Sequence, residues 1–556
     1  MPTFKLDDRE IPFEKGETII QAAYRQGIEI PHYCWHPGLS VAANCRMCLV
    51  EIEPGPGQRA MMLDVLKWDA AKNDYVVDRK PKLQPACQQA AAEGMVVRSE
   101  NSHFVKDARA HVQEFLLLNH PVDCPICDQA GECKLQDYYI TEQKTPKRML
   151  DEPVHKPKGV PFGPKIVYDG ERCIACTRCI RVCDELAGDH MLDLRERGNK
   201  NEVVTAPGRQ LDGDYALMTE HVCPVGALTS SHFRFKARVW TLTEVPSICP
   251  GCATGCNMFV DVDMRELRAY RNRPRDNEHV NKFWMCDDGM MTYLREHEHR
   301  VLKASVRKDG TREETTVEAA LERAAAGLKG VQKGWLAVLL SAQASTEDNF
   351  VMVEFARQLG APLYLSAKGP WKGDEILRNV DQNPNRAGAV AVANNAKVGS
   401  LKDLLHAVSA GQVQAVVGLG TDIDADPEAL AVLSRVSEVV LIAAHEGPLA
   451  SRASVLLPAA SSFEATGSFM NVKGIAQEFR KALPPKGDAV PAWDLVARLG
   501  RAMELDLKYR KFKEVRAALA VLTPAANPER QPAVEPQTPA ITPPATPTTP
   551  STATNP

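Results

Sequence analysis

The chain has 556 residues, a formal charge of -4 and a mean hydropathy of -0.27, which is length enough for several domains with separate cores. A near-balanced charge without a long Lys/Arg run argues against nucleic acid as a partner, and no apolar run approaches the length of a membrane span. The opening Met-Pro-Thr-Phe-Lys-Leu lacks both the apolar core of a signal peptide and a twin-arginine pair, so the expectation is a soluble, cytosolic chain that can sit on a membrane-bound partner.

All 16 cysteines fall between Cys34 and Cys286, most of them two or three residues from another. In a chain without a secretion signal that usage predicts metal ligation rather than disulfides, because the cytosol keeps thiols reduced.

In chain order, residues 1 to about 98 begin with short alternating segments (Phe4, Leu6; Ile11, Phe13) and a helix entered at Thr18 and stopped by Gly27. Cys34, Cys45, Cys48 and Cys87 follow as C-x10-C-x2-C-x38-C. A 2Fe-2S centre needs four thiolates, and plant-type ferredoxins supply them from a loop over a small sheet with related spacing; two cysteine pairs could also hold zinc. A strand is predicted after Cys48 (Leu49, Val50, Ile52), and Gly55 to Lys82 reads as a surface insertion.

Phe104, Ala108, Val112, Phe115 and Leu116 have helical spacing, placing His120 just beyond a helix that Pro121 ends. His120, Cys124, Cys127 and Cys133 then form H-x3-C-x2-C-x5-C, in a loop with little apolar content. Three thiolates and one imidazole can close around a single centre, either an iron-sulfur cluster or a structural zinc knot with the same four ligands.

Cys173, Cys176 and Cys179 repeat at a spacing that lets each reach a different iron of one 4Fe-4S cubane. The fourth thiolate is Cys183 or Cys223; Cys223 is favoured because Pro224 follows it, as in the remote ligand of bacterial ferredoxins. Cys183 is then the one uncommitted thiol, read as a small buried hydrophobe. A last set, Cys249, Cys252, Cys256 and Cys286, is spaced C-x2-C-x3-C-x29-C, with a hairpin predicted between its last two members (Met258 to Val262, then Glu266 to Tyr270) and a zinc ribbon as the competing reading. Fifteen cysteines and His120 thus make four complete four-ligand sets.

Beyond about residue 300 the pattern becomes α/β. Leu336 to Leu340, Ala415 to Val417 and Val439 to Ile442 are strand candidates, and Ser345 to Asp348 starts a helix through Phe355. Gly418-Leu419-Gly420 is a βα turn rather than a nucleotide loop, since Asp422, Asp424 and Asp426 would repel a pyrophosphate. From Thr523 the Pro-, Thr- and Ala-rich sequence predicts disorder.

Over about residues 1 to 300 the cysteine series resembles the family of large iron-sulfur subunits of respiratory complex I, the G-type subunits of NADH-quinone oxidoreductase. The resemblance implies a multidomain α+β and α/β chain. Its parts would be an N-terminal β-grasp 2Fe-2S ferredoxin domain (1–98), a 4Fe-4S domain with mixed histidine and cysteine ligands (99–160), a 4Fe-4S ferredoxin-like domain (161–240) and a Mo/W-oxidoreductase-type 4Fe-4S domain (241–300). It implies a 2Fe-2S cluster on Cys34, Cys45, Cys48 and Cys87, and 4Fe-4S clusters on His120, Cys124, Cys127 and Cys133 and on Cys173, Cys176, Cys179 and Cys223. Cys249, Cys252, Cys256 and Cys286 match a further 4Fe-4S site found in some bacterial members.

Residues 301–525 resemble a truncated molybdopterin oxidoreductase, with Ser454 to Gly474 similar to its G-[ST]-F-x-N-x-x-G signature, followed by the tail 526–556. No cysteine follows Cys286 to ligate molybdenum, and Asp287-Asp288 stand where working enzymes tend to carry Lys; the part is read as a scaffold without Mo. The implied role is an electron-relay subunit of NADH:quinone oxidoreductase, a translocase, peripheral on the cytoplasmic side of the plasma membrane. Its partners would be an FMN-bearing, NADH-oxidising subunit and quinone-side iron-sulfur subunits, with no NADH or quinone site on this chain. The competing classes are a Mo/W formate dehydrogenase or hydrogenase chain, and a zinc-stabilised assembly scaffold.

Overall fold

In the computed structural model the described residues are 1–522 apart from 58, 143–147, 333, 395, 421–426 and 448, so the tail from Thr523 and the acidic Asp422, Asp424 and Asp426 lie outside them. The N-terminal strands Thr3–Leu6 and Arg9–Pro12 form an antiparallel hairpin. Thr3–Leu6 then pairs in parallel with Val96–Arg98, which is followed in the sheet by Leu49–Glu53 and Gln84–Pro85. Thr18 and Gln21 form a capping box on the helix Ile19–Arg25, and Gly27, at φ +69°, gives the chain its left-handed exit. The helix buries Ile19, Ile20, Ala22 and Ala23 against Phe4, Leu6 and Ile11 of the sheet, the mixed arrangement expected of a ferredoxin-like domain.

The segment expected as a surface insertion is a long hairpin, Met62–Asp69 against Asp74–Pro81, paired along its whole length as a separate two-stranded sheet. Its Leu66 and Val77 are exposed.

A helix stands at His103–Leu117, where the spacing predicts one, with Val112 and Leu116 packed against the core. Phe115 is 72% exposed, whereas Val105, Arg109 and Gln113 are inside. Hydrogen bonding explains how the two polar side chains lie inside. Arg109 donates to Glu100 and Ser99 at 2.6 Å each, and Gln113 accepts from the Tyr33 hydroxyl and donates to Leu135 O at 2.9 Å. Polar side chains that find hydrogen-bond partners can lie inside, and here they tie this helix to the N-terminal domain and to the helix Lys134–Glu142 after Cys133.

Further on, Ile166–Tyr168 is flanked by Leu228–Ser230 and Val160–Pro161, and Leu192–Arg195 pairs with Glu202–Thr205. A three-stranded antiparallel sheet follows, ordered Thr243–Ile248, Asn257–Asp263, Arg268–Pro274. Its second hairpin resumes at Arg268 rather than Glu266, because Asp263 accepts hydrogen bonds from the Arg265 and Glu266 N–H groups and Leu267 takes φ +52°.

The α/β part is an eight-stranded sheet. Its six consecutive strands Val455–Pro458, Glu438–Ala443, Ala415–Leu419, Leu336–Ser341, Leu363–Ser366 and Val398–Ser400 are parallel, and the antiparallel Ala304–Lys308 and Thr311–Thr315 close one edge. Leu336–Ser341 and Glu438–Ala443 are buried along their whole length, which is why they read as unbroken apolar runs. Ser345 and Asp348 cap the helix Thr346–Leu359 reciprocally. Gly418 lies within the strand Ala415–Leu419 and Gly420, at φ +72°, turns out of it. Among the described residues no helix is long and apolar enough to cross a membrane.

Arg109 is 0% exposed and lies 3.7 Å from the Glu142 carboxylate as well as bonding Glu100. Arg109→Met is expected to destabilise by about 3 kcal/mol, the usual result of removing one partner from a buried charged set. Phe115→Ala should change stability by less than about 0.5 kcal/mol. The urea midpoint at unchanged slope distinguishes the two.

Candidate metal centres

The first set sits in the loop between the helix Ile19–Arg25 and the strand Leu49–Glu53, closed by Cys87 after Gln84–Pro85. Cys34, Cys48 and Cys87 are buried and Cys45 half-buried. Ala43 and Arg46 take left-handed φ of +50° and +61°, winding the loop on either side of Cys45. The thiols meet in two pairs, Cys34 with Cys45 and Cys48 with Cys87. The Cys45 thiol, then the Cys45 and Asn44 N–H groups, hold Cys34 down to about 5, while Cys34 pushes Cys45 up. Two sulfurs beside two sulfurs is the donor arrangement two irons require.

In the second set, His120 follows the helix His103–Leu117, Cys124 opens a single turn of 3-10 helix, and Cys133 immediately precedes the helix Lys134–Glu142. The His120 Nδ1 is buried and has no hydrogen-bond partner among the described residues. Burial, then the charge of Arg172, holds the ring's pKa down to about 4, so it is neutral and its lone pair is available to a metal. Burial pushes the Cys133 thiol up to about 12. Arg238 braces the loop by donating to Cys127 O at 3.0 Å and Cys124 O at 3.2 Å.

The third set lines one small apolar cavity: Cys173, Cys176, Cys179 and Cys223, with Tyr168, Val225 and Leu228 around them. Ala175 and Thr177, at φ +51° and +62°, wind the short loop so that its three sulfurs face the same space. Cys183 does not line that cavity. It lies in the turn Val182–Ala187, buried, its thiol pushed up to about 12 by burial and then by Asp184 and Asp189. Of the two thiols left open by spacing, Cys223 is the one that lines the cavity with the other three.

In the fourth set Cys249, Cys252, Cys256 and Cys286 are all buried. The antiparallel sheet returns the chain to the site, where Cys286 caps a helical turn and accepts the Gly289 N–H at 3.4 Å. A Cβ on Gly251 or Gly289 would come within 3.3 or 3.2 Å of the Cys249 sulfur, so both glycines keep the space beside it clear. Burial, then the neighbouring thiols, pushes Cys249 and Cys256 well up. So many thiols brought together raise one another's pKa, and a multivalent cation is the natural compensation.

Sequence reasoning missed several residues that build these sites. Gly226 is one: a Cβ there would lie 2.2 Å from the Cys127 sulfur. Together with Lys134 N donating to Pro224 O at 3.1 Å, this sets the stretch after Cys223 directly against the second loop. The molybdopterin-like signature also has a use not anticipated. Its hairpin, Gly467–Met470 with Ala476–Phe479, reaches the fourth cysteine loop: Asn471 donates to Thr254 O, Val472 N to Ala253 O and Gln477 to Gly255 O, at 2.8 to 3.2 Å. Asp287 and Asp288 are not an open acidic pair. Lys165 bonds Asp287 at 2.7 Å and Arg378 bonds Asp288 at 2.8 Å.

Among the described residues no three His, Cys, Asp or Glu side chains meet as ligands of a single ion. The donor chemistry, the unpartnered His120 nitrogen and the sulfur-lined cavity of the third set fit iron-sulfur clusters.

Four family models match the N-terminal half in succession. They describe a 2Fe-2S iron-sulfur cluster binding domain (residues 1–67), an NADH-ubiquinone oxidoreductase-G iron-sulfur binding region (109–142), the ferredoxin-like domain of NADH-quinone oxidoreductase subunit 3 (163–229) and a molybdopterin oxidoreductase Fe4S4 domain (242–297). In the order of these regions the chain is similar to the G-type subunits of NADH-quinone oxidoreductase. A molybdopterin oxidoreductase model covers 314–502, after the cysteine-rich half. The 2Fe-2S match ends before Cys87, on the far side of the long hairpin.

NADH-quinone oxidoreductase subunit 3 of Thermus thermophilus is 34% identical over 65% of this chain and 47% of its own length. The G-type NADH-quinone oxidoreductase subunit of Rickettsia felis is 28% identical over 94% of this chain and 90% of its own. The chain thus spans about half the Thermus relative and most of the Rickettsia one. Among solved structures, an NAD+-reducing NiFe hydrogenase chain matches 43% of this chain and 91% of its own at 28% identity, with a TM-score of 0.35.

Gly226→Ala should force the Cys127 loop away from Pro224 to Gly226. The expected outcome is a lower melting temperature and faster maleimide labelling of Cys127, mapped by peptide mass spectrometry; Gly213→Ala, where a Cβ meets nothing within 4 Å, should change neither.

Proposed function

We propose that this chain is an electron-relay subunit of an NADH:quinone oxidoreductase. It would take electrons from a flavin-bearing, NADH-oxidising subunit and pass them to quinone-side iron-sulfur subunits, in a complex that couples the transfer to proton translocation. The observation that carries the reading is the partition of fifteen cysteines and one histidine into four successive four-donor sets with only Cys183 left over.

Cys34, Cys45, Cys48 and Cys87 would hold a 2Fe-2S cluster. His120 with Cys124, Cys127 and Cys133, then Cys173, Cys176 and Cys179 with Cys223, then Cys249, Cys252 and Cys256 with Cys286, would each hold a 4Fe-4S cluster. Such clusters, when bound, supply one-electron acceptance and release by outer-sphere transfer. The remaining contributions come from the polypeptide. Burial keeps water from most of the sulfurs, Cys124 being exposed, and backbone N–H groups such as Ala175 to Cys173 at 3.3 Å and Gly289 to Cys286 at 3.4 Å place positive dipoles at the donors. His120 supplies a neutral donor where a thiolate would add a negative charge, which favours the reduced form of its centre. Hydride chemistry belongs to the flavin subunit. The whole would sit peripherally on the cytoplasmic face of the membrane.

The α/β part favours a second reading, a Mo/W formate dehydrogenase chain, through its match to molybdopterin oxidoreductases. No cysteine follows Cys286 in the chain to ligate such a metal, and Asp287 and Asp288 are held by Lys165 and Arg378. Molybdenum or tungsten near one per purified chain would restore that reading.

Metal and sulfide analysis of anaerobically prepared protein, with paramagnetic resonance of the reduced state, is expected to show one 2Fe-2S and three 4Fe-4S signals. Cys223→Ala should remove one 4Fe-4S signal and Cys183→Ala none. Colourless protein with stoichiometric zinc and no sulfide would defeat the proposal. His120→Cys, by adding a thiolate, should move the midpoint of its cluster alone to lower potential, by a shift of tenfold or more in the one-electron equilibrium, about 59 mV.

A further inference from the structure

Arg178 and Arg181 lie three residues apart on one turn, directly after the loop carrying Cys173 and Cys176. Each is only 9% exposed, and neither forms an ion pair with a carboxylate among the described residues. Every hydrogen bond they make is to a backbone carbonyl. Arg178 donates through Nη1 to Val222 O at 3.2 Å and through Nη2 to Trp35 O. Arg181 donates through Nη1 to Ser40 O, and through a single Nη2 to both Cys34 O and, at 3.4 Å, Cys176 O. Both Nε atoms are buried and unpartnered. The carbonyls belong to two different donor sets: Cys34, Trp35 and Ser40 lie in the loop of the first, and Cys176 and Val222 adjoin the third.

Two buried cations side by side, bonded only to dipoles, are strongly unfavourable without an anion to balance them. Other buried arginines of the chain have one: Arg109 has Glu100 and Glu142, Arg172 has Asp123 and Asp169, Arg271 has Asp261 and Glu132. What Arg178 and Arg181 have nearby is sulfur: Arg181 acts on Cys34, and both arginines act on Cys176.

We infer that Arg178 and Arg181 are one shared cationic bracket that balances the negative charge of the clusters on the first and third donor sets and raises the reduction potentials of both. The inference rests on the proposed cluster reading and names the residues that tune it. An iron-sulfur cluster held by four thiolates is a net anion and becomes more so on reduction. When a one-electron donor, the upstream flavin in the complex or dithionite in a titration, reduces one ferric ion to ferrous, the added charge is met by guanidiniums that stay protonated throughout. No proton moves and no bond in the arginines changes. They are positioning residues, since they touch loops rather than iron.

The test uses the full chain, loaded anaerobically with iron and sulfide, and titrates Arg181→Gln, Arg181→Lys and the corresponding Arg178 variants with dithionite under paramagnetic resonance. The expected result for either glutamine variant is a roughly tenfold shift of the one-electron equilibrium toward the oxidised form at both the 2Fe-2S cluster and the Cys173–Cys223 cluster, about 59 mV in each. The His120 cluster should stay where it is, and lysine should recover most of the shift because it keeps the charge while losing the fork. If a glutamine variant fails to load these two clusters while its lysine counterpart loads them, the requirement for charge stands. The inference is overturned if the glutamine variants leave both potentials unchanged, if only one cluster moves, or if lysine behaves as glutamine does. Wild-type protein without either signal would instead remove the cluster reading on which the bracket depends.

Discussion

Crowded sulfur is the constraint on which this molecule turns. Thiols packed in threes and fours and mostly buried raise one another's pKa, as at Cys249 and Cys256, so each set is electrostatically unfavourable as an assembly of free thiolates. The surrounding structure answers that crowding with whatever positive potential a polypeptide can offer. Amide N–H groups point at Cys34, Cys173, Cys249 and Cys286, and buried guanidiniums stand between the first and third loops. Loops this rich in donors and poor in apolar contacts have little reason of their own to hold one shape, and their geometry is set by neighbours.

Those neighbours are drawn from far along the sequence. The second loop rests on the stretch after Cys223, and the fourth is gripped by a hairpin some two hundred residues downstream, through Asn471 and Gln477. Seen this way the α/β part has a structural occupation irrespective of any cofactor: its signature hairpin replaces solvent around the backbone of Cys252 to Cys256. The acidic pair after Cys286 works similarly, pinning that turn to Lys165 and Arg378 on separate segments.

Much of this was legible in the sequence because cysteine spacing is local information. The four donor sets, the capped helices at Thr18 and Ser345 and the buried parallel strands all follow from patterns within a few residues. The family resemblance came from the order of those sets, which no single set carries. What stayed hidden depends on contacts between distant segments. The helix after residue 102 holds Arg109 and Gln113 inside through partners from elsewhere in the chain, which apolar periodicity does not register. The roles of Gly226, Arg178 and Arg181 likewise rest on contacts with distant segments that local spacing does not register. That Cys223 rather than Cys183 lines the cavity of the other three thiols is a long-range placement, although the proline after Cys223 was a usable hint.

The excursion between Cys48 and Cys87 has an implication for how such chains are compared. Lys82 N donates to Met61 O at 2.9 Å, so the long hairpin starts and finishes at one point, and Leu49 then lies opposite Pro85 in the sheet. The 38 intervening residues therefore say nothing about how far apart those two ligands sit. An arm closed at its base can grow, shrink or vanish without displacing either cysteine, so pattern searches that fix the gap will discard genuine kin. For the same reason the tip around Asn73 is a natural place to graft an affinity handle or a fluorophore.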